Sequence, residues 1–362
     1  MKAKQRIQDL PVYQPGKPLE EVKRELGLEE VIKLASNENP HGASPTVWPS
    51  LAAEGKQLSL YPEGTAPLLR ADLAAFYGLP ENSFLLGNGS DEIVQMISRS
   101  YLEQGDEVVM ADVTFPRYKT HALIEGAHAI EVPLKEGTHD LEGMLAAITE
   151  RTRIIWICNP NNPTGTMVGH NDLISFLKKV PDHILVVADE AYFEYVTDET
   201  YPDSLSLFSL FPSFIVLRTF SKIYGLAAIR AGYAIAHPDI IQTLHRVREP
   251  FNSNRLAQQA ARVALQDQEF VRFCRAENEY GRTLIMSAQE EWGLHAFPAH
   301  GNFVMMDTGE NANLAYEFLL KHGIIVRPGT LLGYPTYIRV TVGTREQTEH
   351  FLNVFAHYIS HR

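Results

Sequence analysis

"RIIWICNPNNPTG", residues 153–165, leaves an apolar run for three asparagines, two prolines and a glycine. Asn-Pro and Pro-Thr-Gly form turns readily, because proline presets φ, asparagine bonds its own backbone and glycine accepts positive φ. A turn alone would account for the segment. The run before it, however, is apolar at every position from Ile154 to Cys158, which is the pattern of a strand buried on both faces of a parallel sheet. Ligands of open parallel sheets bind beyond the carboxyl ends of the strands. Asn162 is therefore placed to meet one.

Runs of the same kind recur at "EVVMA" (107–111), "AIEVPL" (129–134), "ILVVAD" (184–189), "FIVLRT" (214–219) and "AGYAIA" (231–236). Helical patterns separate them at 90–103, 116–126, 140–149, 170–179 and 238–248. This alternation predicts an α/β fold, a mostly parallel sheet with helices on both faces. After residue 250 the pattern changes to long helices over 254–292, then strands at 302–307, 323–328 and 337–343, as expected of a smaller α+β domain. The division expected is an arm at 1–45 that packs on the small domain or reaches a partner chain, a large domain at 46–250 and a small domain at 251–362.

Composition narrows the classes of function. In 362 residues, 32 basic against 44 acidic side chains give a net charge of −12, which disfavours nonspecific binding to nucleic acid or anionic membrane. Any anionic ligand has to be held by arginines placed for it. The two cysteines, Cys158 and Cys274, lie far apart without a CxxC pair, and the histidines show no HExxH spacing, so no disulfide framework and no metal site are expected. No apolar run approaches a membrane span, and the basic N-terminal residues precede no apolar stretch, so no secretory signal is expected and a reducing cytoplasm fits.

Three strand ends carry polar residues in order: Asn162, then Asp189 with Tyr192, then "TFSK" (219–222). Upstream, "GNGSDE" (87–92) places a Gly-rich turn before a helix N-terminus, whose free N–H groups suit a phosphate. Asp91 and Glu92 would repel that phosphate if they faced it, so both must point away for the phosphate reading to hold. Lysine at a strand end is ordinarily solvated. Lys222, set between Ser221 and the apolar-aromatic "IYGLAAIR", is expected to be partly desolvated, and such a lysine loses its proton and attacks carbonyls. Pyridoxal phosphate needs that lysine for its aldehyde, an acid beside its ring nitrogen, a donor to its ring hydroxyl and a cradle for its phosphate. The chain offers one of each.

The segments "LASNENP" (34–40), "YPEG" (61–64), "NPNNPTG", "DEAY" (189–192), "TFSK" with Arg230 eight residues after the lysine, and "YIRVTVGT" (337–344) together resemble fold-type I pyridoxal-phosphate aminotransferases of the histidinol-phosphate aminotransferase family. The likeness runs over nearly the whole chain. It implies that Lys222 holds the cofactor and moves the proton, that Asp189 pairs with the ring nitrogen and that Phe115, in "TFPRY", stacks on the ring. Asn162 and Tyr192 would bond the ring oxygen, and Ser90, Asp91, Thr219, Ser221 and Arg230 the phosphate. Tyr61 would reach the neighbouring subunit's cofactor in a homodimer with shared sites. Tyr13, Asn39, Arg327 and Arg339 would bind substrate. Ile223 and Ala228 stand where the family often has smaller residues, which bears on fine positioning and removes no chemical group.

The reaction so implied converts histidinol phosphate and 2-oxoglutarate to imidazole acetol phosphate and glutamate, in histidine biosynthesis. An aromatic amino-acid aminotransferase and a threonine-phosphate decarboxylase are alternatives on the same scaffold. A ligand-sensing regulator built on such a domain would need an added basic DNA-binding module, and this acidic chain has no room for one before residue 34.

Overall fold

The computed structural model describes residues 3–10, 12 and 17–361. Helices α1 (Gln5–Gln8) and α2 (Leu19–Leu26) and strand β1 (Ile32–Lys33) precede helices α3 (Val47–Glu54) and α4 (Pro67–Tyr77). The chain then alternates β2 (Phe84–Gly87), α5 (Ser90–Tyr101), β3 (Glu107–Ala111), α6 (Arg117–Glu125), β4 (His128–Val132), α7 (Leu141–Ala146), β5 (Thr152–Cys158) and α8 (His170–Leu177). It continues through β6 (Leu185–Asp189), α9 (Ser204–Phe208), β7 (Phe214–Thr219), β8 (Gly232–Ile235) and α10 (Pro238–His245). Helices α11 (Arg255–Gln266) and α12 (Gln268–Glu291) lead into β9 (Phe303–Asp307), α13 (Ala312–Lys321), β10 (Ile324–Ile325), β11 (Arg327–Pro328), β12 (Tyr337–Thr341) and α14 (Arg345–Ser360).

Seven strands form one sheet in the order β2-β8-β7-β6-β5-β3-β4, with β8 antiparallel to both of its neighbours and the remaining strands parallel. Because side chains alternate along a strand, each apolar run feeds both faces. Ile155, Ile157, Val186, Ala188 and Val216 enter one core, and Ile154, Trp156, Leu185, Val187 and Leu217 enter the other. That is why these runs are apolar throughout rather than at every second residue. The same arrangement brings the carboxyl ends of β2, β5, β6 and β7 to one edge, where Cys158 lies beside Asp189 and Asp189 beside Leu217.

The ends of β6 and β7 are tied together by a buried ion pair that the sequence did not disclose. Arg218 Nε and Nη2 donate to Glu190 Oε2 at 3.0 and 2.8 Å, the Phe193 ring lies 3.7 Å from the guanidinium, and Ser204 Oγ donates to the other Glu190 oxygen. Both residues are almost wholly buried. A pair of this kind adds little net stability over an apolar substitute, but losing one partner costs about 3–5 kcal/mol, because the other charge is left in the core. It holds the segment after Asp189 against β7, the strand that ends at Thr219, three residues before Lys222.

A second, antiparallel sheet, β11-β12-β9, is covered by α13 and α14 around Val304, Met306, Ile338, Val340, Phe351 and Phe355. The N-terminal segment joins this side: β1 pairs in parallel with β10, and Val22 and Ala35 pack with Ile325. Residues beyond 250 do not all belong with it. Ala257, Ala260, Ala261 and Ala264 of α11 share a core with Leu69 and Leu73 of α4, so α11 packs on the large-sheet side of the division expected at 250. Small alanine side chains on one helix face permit that close approach. No helix among the described residues is long and apolar enough to cross a membrane.

Candidate active site

A cavity of about 430 Å³ opens at the carboxyl edge of the large sheet and is closed on its far side by β11 and β12. Lys222, Asp189, Tyr192, Asn162, Phe115, Ser90, Asp91, Thr219, Ser221, Arg230, Arg327 and Arg339 all line it. A larger groove of about 860 Å³ lies elsewhere, lined by His170, Asp172, Asp203 and His300 among others. It contains neither a lysine nor an arginine, so it lacks the cations that an anionic ligand requires.

The segment at 159–165 is held by its own asparagines. Asn159 exchanges two bonds with Val168, through Nδ2 at 3.1 Å and Oδ1 at 2.8 Å, while Asn161 accepts from Thr114 Oγ1 at 2.8 Å and donates to Thr164 Oγ1 at 2.9 Å. Both Asn-Pro bonds, 159–160 and 162–163, are cis. Asn162 is the asparagine left to face the cavity. Its Oδ1 accepts from Arg339 Nη1 at 2.6 Å and its Nδ2 donates to Tyr192 Oη at 3.3 Å.

Asp189 is buried, and burial raises its pKa to about 6 against the lowering effect of a 2.7 Å bond from Tyr118 Oη to Oδ2. Its Oδ1 has no hydrogen-bond partner. An unsatisfied buried acceptor costs on the order of 1–3 kcal/mol, so a donor arriving from the cavity gains by meeting it. Tyr118 is itself fixed by stacking on Trp156, with ring centroids 4.6 Å apart. Phe115 stands edge-on to Tyr118 at 5.5 Å and forms one wall of the cavity.

Lys222 is half-buried, with Nζ 5.4 Å from the centre of the Tyr192 ring. Burial first, and the Arg339 charge second, lower its pKa to about 8, while Asp91 and Glu38 oppose the shift. The turn that carries it is clamped from outside. Asn39 Nδ2 donates to the Ile223 carbonyl at 2.7 Å, and a Cβ on Gly225 would sit 1.8 Å from the Gly42 carbonyl oxygen. Asn39, expected to bind substrate, is thus turned toward the lysine loop and Cys274 and does not line the cavity. The chain turns at Asn37, whose φ is +55°, so "SNENP" is not extended there, and of the two asparagines Asn37 takes the cavity side.

The turn expected to cradle a phosphate lies at the start of α5. Its N-cap is Gly89, at φ +80° with no side-chain cap, so the first N–H groups of the helix remain available. A Cβ on Gly89 would lie 2.5 Å from Arg230 Nη2, and one on Gly232 would lie 2.5 Å from Ser90 N; only glycine lets the guanidinium and the helix end approach the same point. Glu92 points away, as expected, accepting from Asn88 N at 2.6 Å and Asn252 Nδ2 at 2.7 Å. Asp91 does not. It lines the cavity with Oδ2 3.7 Å from Arg230 Nη2, because the guanidinium draws the carboxylate inward. Ser221 Oγ also meets Arg230, at 3.4 Å, whereas the Thr219 hydroxyl donates to the Ala231 carbonyl at 3.2 Å and accepts from Ser221 N at 3.1 Å.

Across the cavity, Arg327 and Arg339 are directly opposed residues of β11 and β12. Arg339 is anchored by its bonds to Asn162 and to the Ala35 carbonyl, the latter at 2.7 Å. Six cavity residues were not anticipated: Ala35, Ser36, Asn37, Cys158, Ala191 and Arg117, the last at the first turn of α6 within "TFPRY". Tyr61 is 79% exposed, stacks on Phe251 at 4.6 Å and lies outside this cavity; Tyr13 falls outside the described residues.

The profile of the aminotransferase class I and II family matches residues 29–355. A histidinol-phosphate aminotransferase of Brevibacillus brevis is 51% identical over 360 residues, which is 99% of each chain. The chain belongs to the histidinol-phosphate aminotransferase family. Other members of this family similar to it include one from Bacillus subtilis, 47% identical over 98% of this chain and 99% of its own. Among solved structures, a histidinol-phosphate aminotransferase of Sinorhizobium meliloti in complex with pyridoxal-5'-phosphate superposes with a TM-score of 0.90 at 28% identity, covering 99% of this chain and 98% of that one. A Thermus thermophilus aspartate aminotransferase variant, at 23% identity and a TM-score of 0.85, shares the fold over 99% of both chains.

Proposed function

We propose that the protein is a pyridoxal-phosphate-dependent aminotransferase that exchanges the amino group of histidinol phosphate with 2-oxoglutarate, giving imidazole acetol phosphate and glutamate, a step of histidine biosynthesis. The observation that carries this reading is one cavity in which a desolvated lysine and an unpartnered aspartate oxygen stand opposite two adjacent arginines. The cavity residues fit the cofactor. Asp189 Oδ1 is an acceptor awaiting a ring N–H, and the Gly89 cradle, with Arg230 and the start of α5, suits a phosphate, with the inward Asp91 carboxylate, 3.7 Å from Arg230 Nη2, opposing it. When bound, pyridoxal phosphate supplies an aldehyde that takes up the amino group and a ring that accepts the electron pair from the substrate carbon.

The chain's own groups do the rest. Lys222 Nζ would hold the cofactor through its aldehyde and, as a neutral amine, would move the α-proton of the substrate. Asp189 would keep the ring nitrogen protonated, Asn162 and Tyr192 would bond the ring oxygen, and Phe115 would flank the ring. Ser90, Asp91, Thr219, Ser221 and Arg230 would hold the phosphate, with Ser90 and Asp91 acting mainly through their backbone N–H groups. Arg327, Arg339 and Tyr13 take the anionic ends of the substrates, where forked guanidinium donors outperform point charges. Two buried free thiols, Cys158 and Cys274, suit a reducing cytoplasm.

The lysine sets a pH dependence. Only the neutral amine captures the aldehyde, and Lys222 titrates at about 8. The rate at which cofactor-free protein takes up pyridoxal phosphate should therefore fall about tenfold for each pH unit below 8 and level off above it. Stopped-flow absorbance measures this, and a midpoint near the ordinary lysine value of 10.5 would mean that the amine is not desolvated.

The two arginines divide the substrate. A phosphate held by Arg327, Arg339 and Tyr13 gains more charge-assisted bonds than a carboxylate does, each worth about 1.5–3 kcal/mol. Arg327→Ala should lower kcat/KM for histidinol phosphate by about tenfold to a hundredfold while changing that for phenylalanine little. Arg339→Ala should lower both. Equal losses with Arg327→Ala would move the phosphate role to another group.

A homodimer with shared sites completes the reading. Trp48, Leu58, Leu60, Tyr61 and Leu68 all expose large apolar side chains, a density that marks an interaction surface. Mixing a Tyr61→Ala protein with a Lys222→Ala protein gives hybrids in which one site carries both lesions and the other neither. Activity above the mean of the parents is the expected result. No gain, with subunit exchange demonstrated, would count against sharing.

A further inference from the structure

Tyr192 Oη stands where two side-chain amides converge, and the bonds behind those amides fix which of their atoms it meets. Arg339 can only donate, so the Asn162 atom 2.6 Å from its Nη1 is Oδ1, and the Asn162 NH2 group faces Tyr192 at 3.3 Å. Asn37 is settled by Thr341. The Asn37 backbone N–H donates to Thr341 Oγ1 at 3.0 Å, so the single hydroxyl proton of Thr341 is free to go to Asn37 Oδ1, also at 3.0 Å. The Asn37 NH2 group is thereby turned to Tyr192 Oη at 3.0 Å. The opposite amide orientation would set two donors against Thr341 and leave its proton without an acceptor.

We propose that Asn37 is a positioning residue that, with Asn162, fills both acceptor sites of the Tyr192 hydroxyl and so commits its one proton to the cavity. Within the function proposed above, that proton meets the cofactor's ring oxygen. Arg339 and Thr341 lie two apart on β12 and leave the strand on one face, so the strand that carries the substrate arginine also sets the polarity of this donor. Asn37 is suited to the task by its backbone. It sits at φ +55° and is 1% exposed, and asparagine and aspartate accept that conformation better than other residues with side chains. Asn302 Nδ2 donates to its carbonyl at 3.1 Å and completes the hold.

Asn37→Asp keeps shape and backbone but presents an acceptor to Tyr192, which then turns its proton away from the cavity. Two cycles test this, each made in the Tyr192 protein and in Tyr192→Phe. The dissociation constant of pyridoxal phosphate, from fluorescence quenching of cofactor-free protein, should rise about tenfold to a hundredfold on Asn37→Asp with Tyr192 present. In the Tyr192→Phe background it should rise less than about threefold. Equal weakening in both backgrounds would mean that the new charge acts directly, and no weakening would mean that Asn37 does not set the donor; either overturns the proposal. The second cycle needs no cofactor. Asn37→Gly keeps the positive φ, and its effect on the unfolding equilibrium constant of the full chain should differ about threefold to tenfold between the two backgrounds. Additive effects would overturn the proposal. A protein that binds no pyridoxal phosphate would refute the function proposed above, and this second cycle would still decide the Tyr192 bond.

Discussion

Lys222→Ala is expected to yield a folded protein with no measurable transamination and without the visible absorbance band of a covalent link between the lysine and the cofactor. The side chain is half-buried at a strand end and belongs to no hydrophobic core, so its loss removes an amine without opening a cavity in packed apolar volume. The turn stays in place through backbone and neighbour bonds that the substitution leaves alone: Gly225 N to the Lys222 carbonyl at 2.9 Å and Asn39 to the Ile223 carbonyl. What goes is the amine proposed as both covalent anchor and base. Arg230 and Arg339 cannot replace it, because a guanidinium stays protonated. Turnover within tenfold of the unaltered protein would remove Lys222 from the chemistry, and the far-ultraviolet dichroism of the variant checks that its fold is intact.

Asp189→Asn is expected to cost about a hundredfold to a thousandfold or more in kcat while the protein still binds pyridoxal phosphate through the cradle at α5. The direction follows from Tyr118. Its hydroxyl donates to Oδ2 at 2.7 Å, so an amide placed here turns its oxygen to Tyr118 and its NH2 group to the cavity. A donor then faces the ring nitrogen in place of the unpartnered Oδ1. The nitrogen has to give up its proton, and the ring loses its capacity to hold the electron pair. Activity equal to that of the unaltered protein would assign the ring contact to another residue.

The parts of this site that could be read in advance were those set by residue type at a strand end. Asn162, Asp189 and Lys222 follow apolar runs that are unambiguous because both faces of the sheet are covered, and the parallel order then brings them to one edge. Side-chain direction was not readable in the same way. Asn37 and Asn39 are two apart in one motif, and their roles depend on a positive φ at Asn37 that nothing in the residue types announces. Asp91 was expected to turn away, but Arg230 brings it in, and Arg230 reaches that point only because Gly89 has no Cβ. The Glu190–Arg218 pair joins neighbouring strands, so it depends on a register visible only once β6 and β7 are aligned. The division at 250 rested on a change from alternating elements to long helices, whereas α11 packs by its alanine face against α4.

The central claim, that this cavity transaminates a phosphorylated amino donor, is tested most directly by one steady-state comparison. Histidinol phosphate, phenylalanine, tyrosine and threonine phosphate are each offered with 2-oxoglutarate, and glutamate and carbon dioxide are both quantified. Glutamate is expected to form, with the highest kcat/KM for histidinol phosphate, lower values for the aromatic amino acids and no carbon dioxide from any donor. Carbon dioxide released from threonine phosphate would make the protein a decarboxylase, and a preference for phenylalanine over histidinol phosphate would contradict the phosphate role given to Arg327.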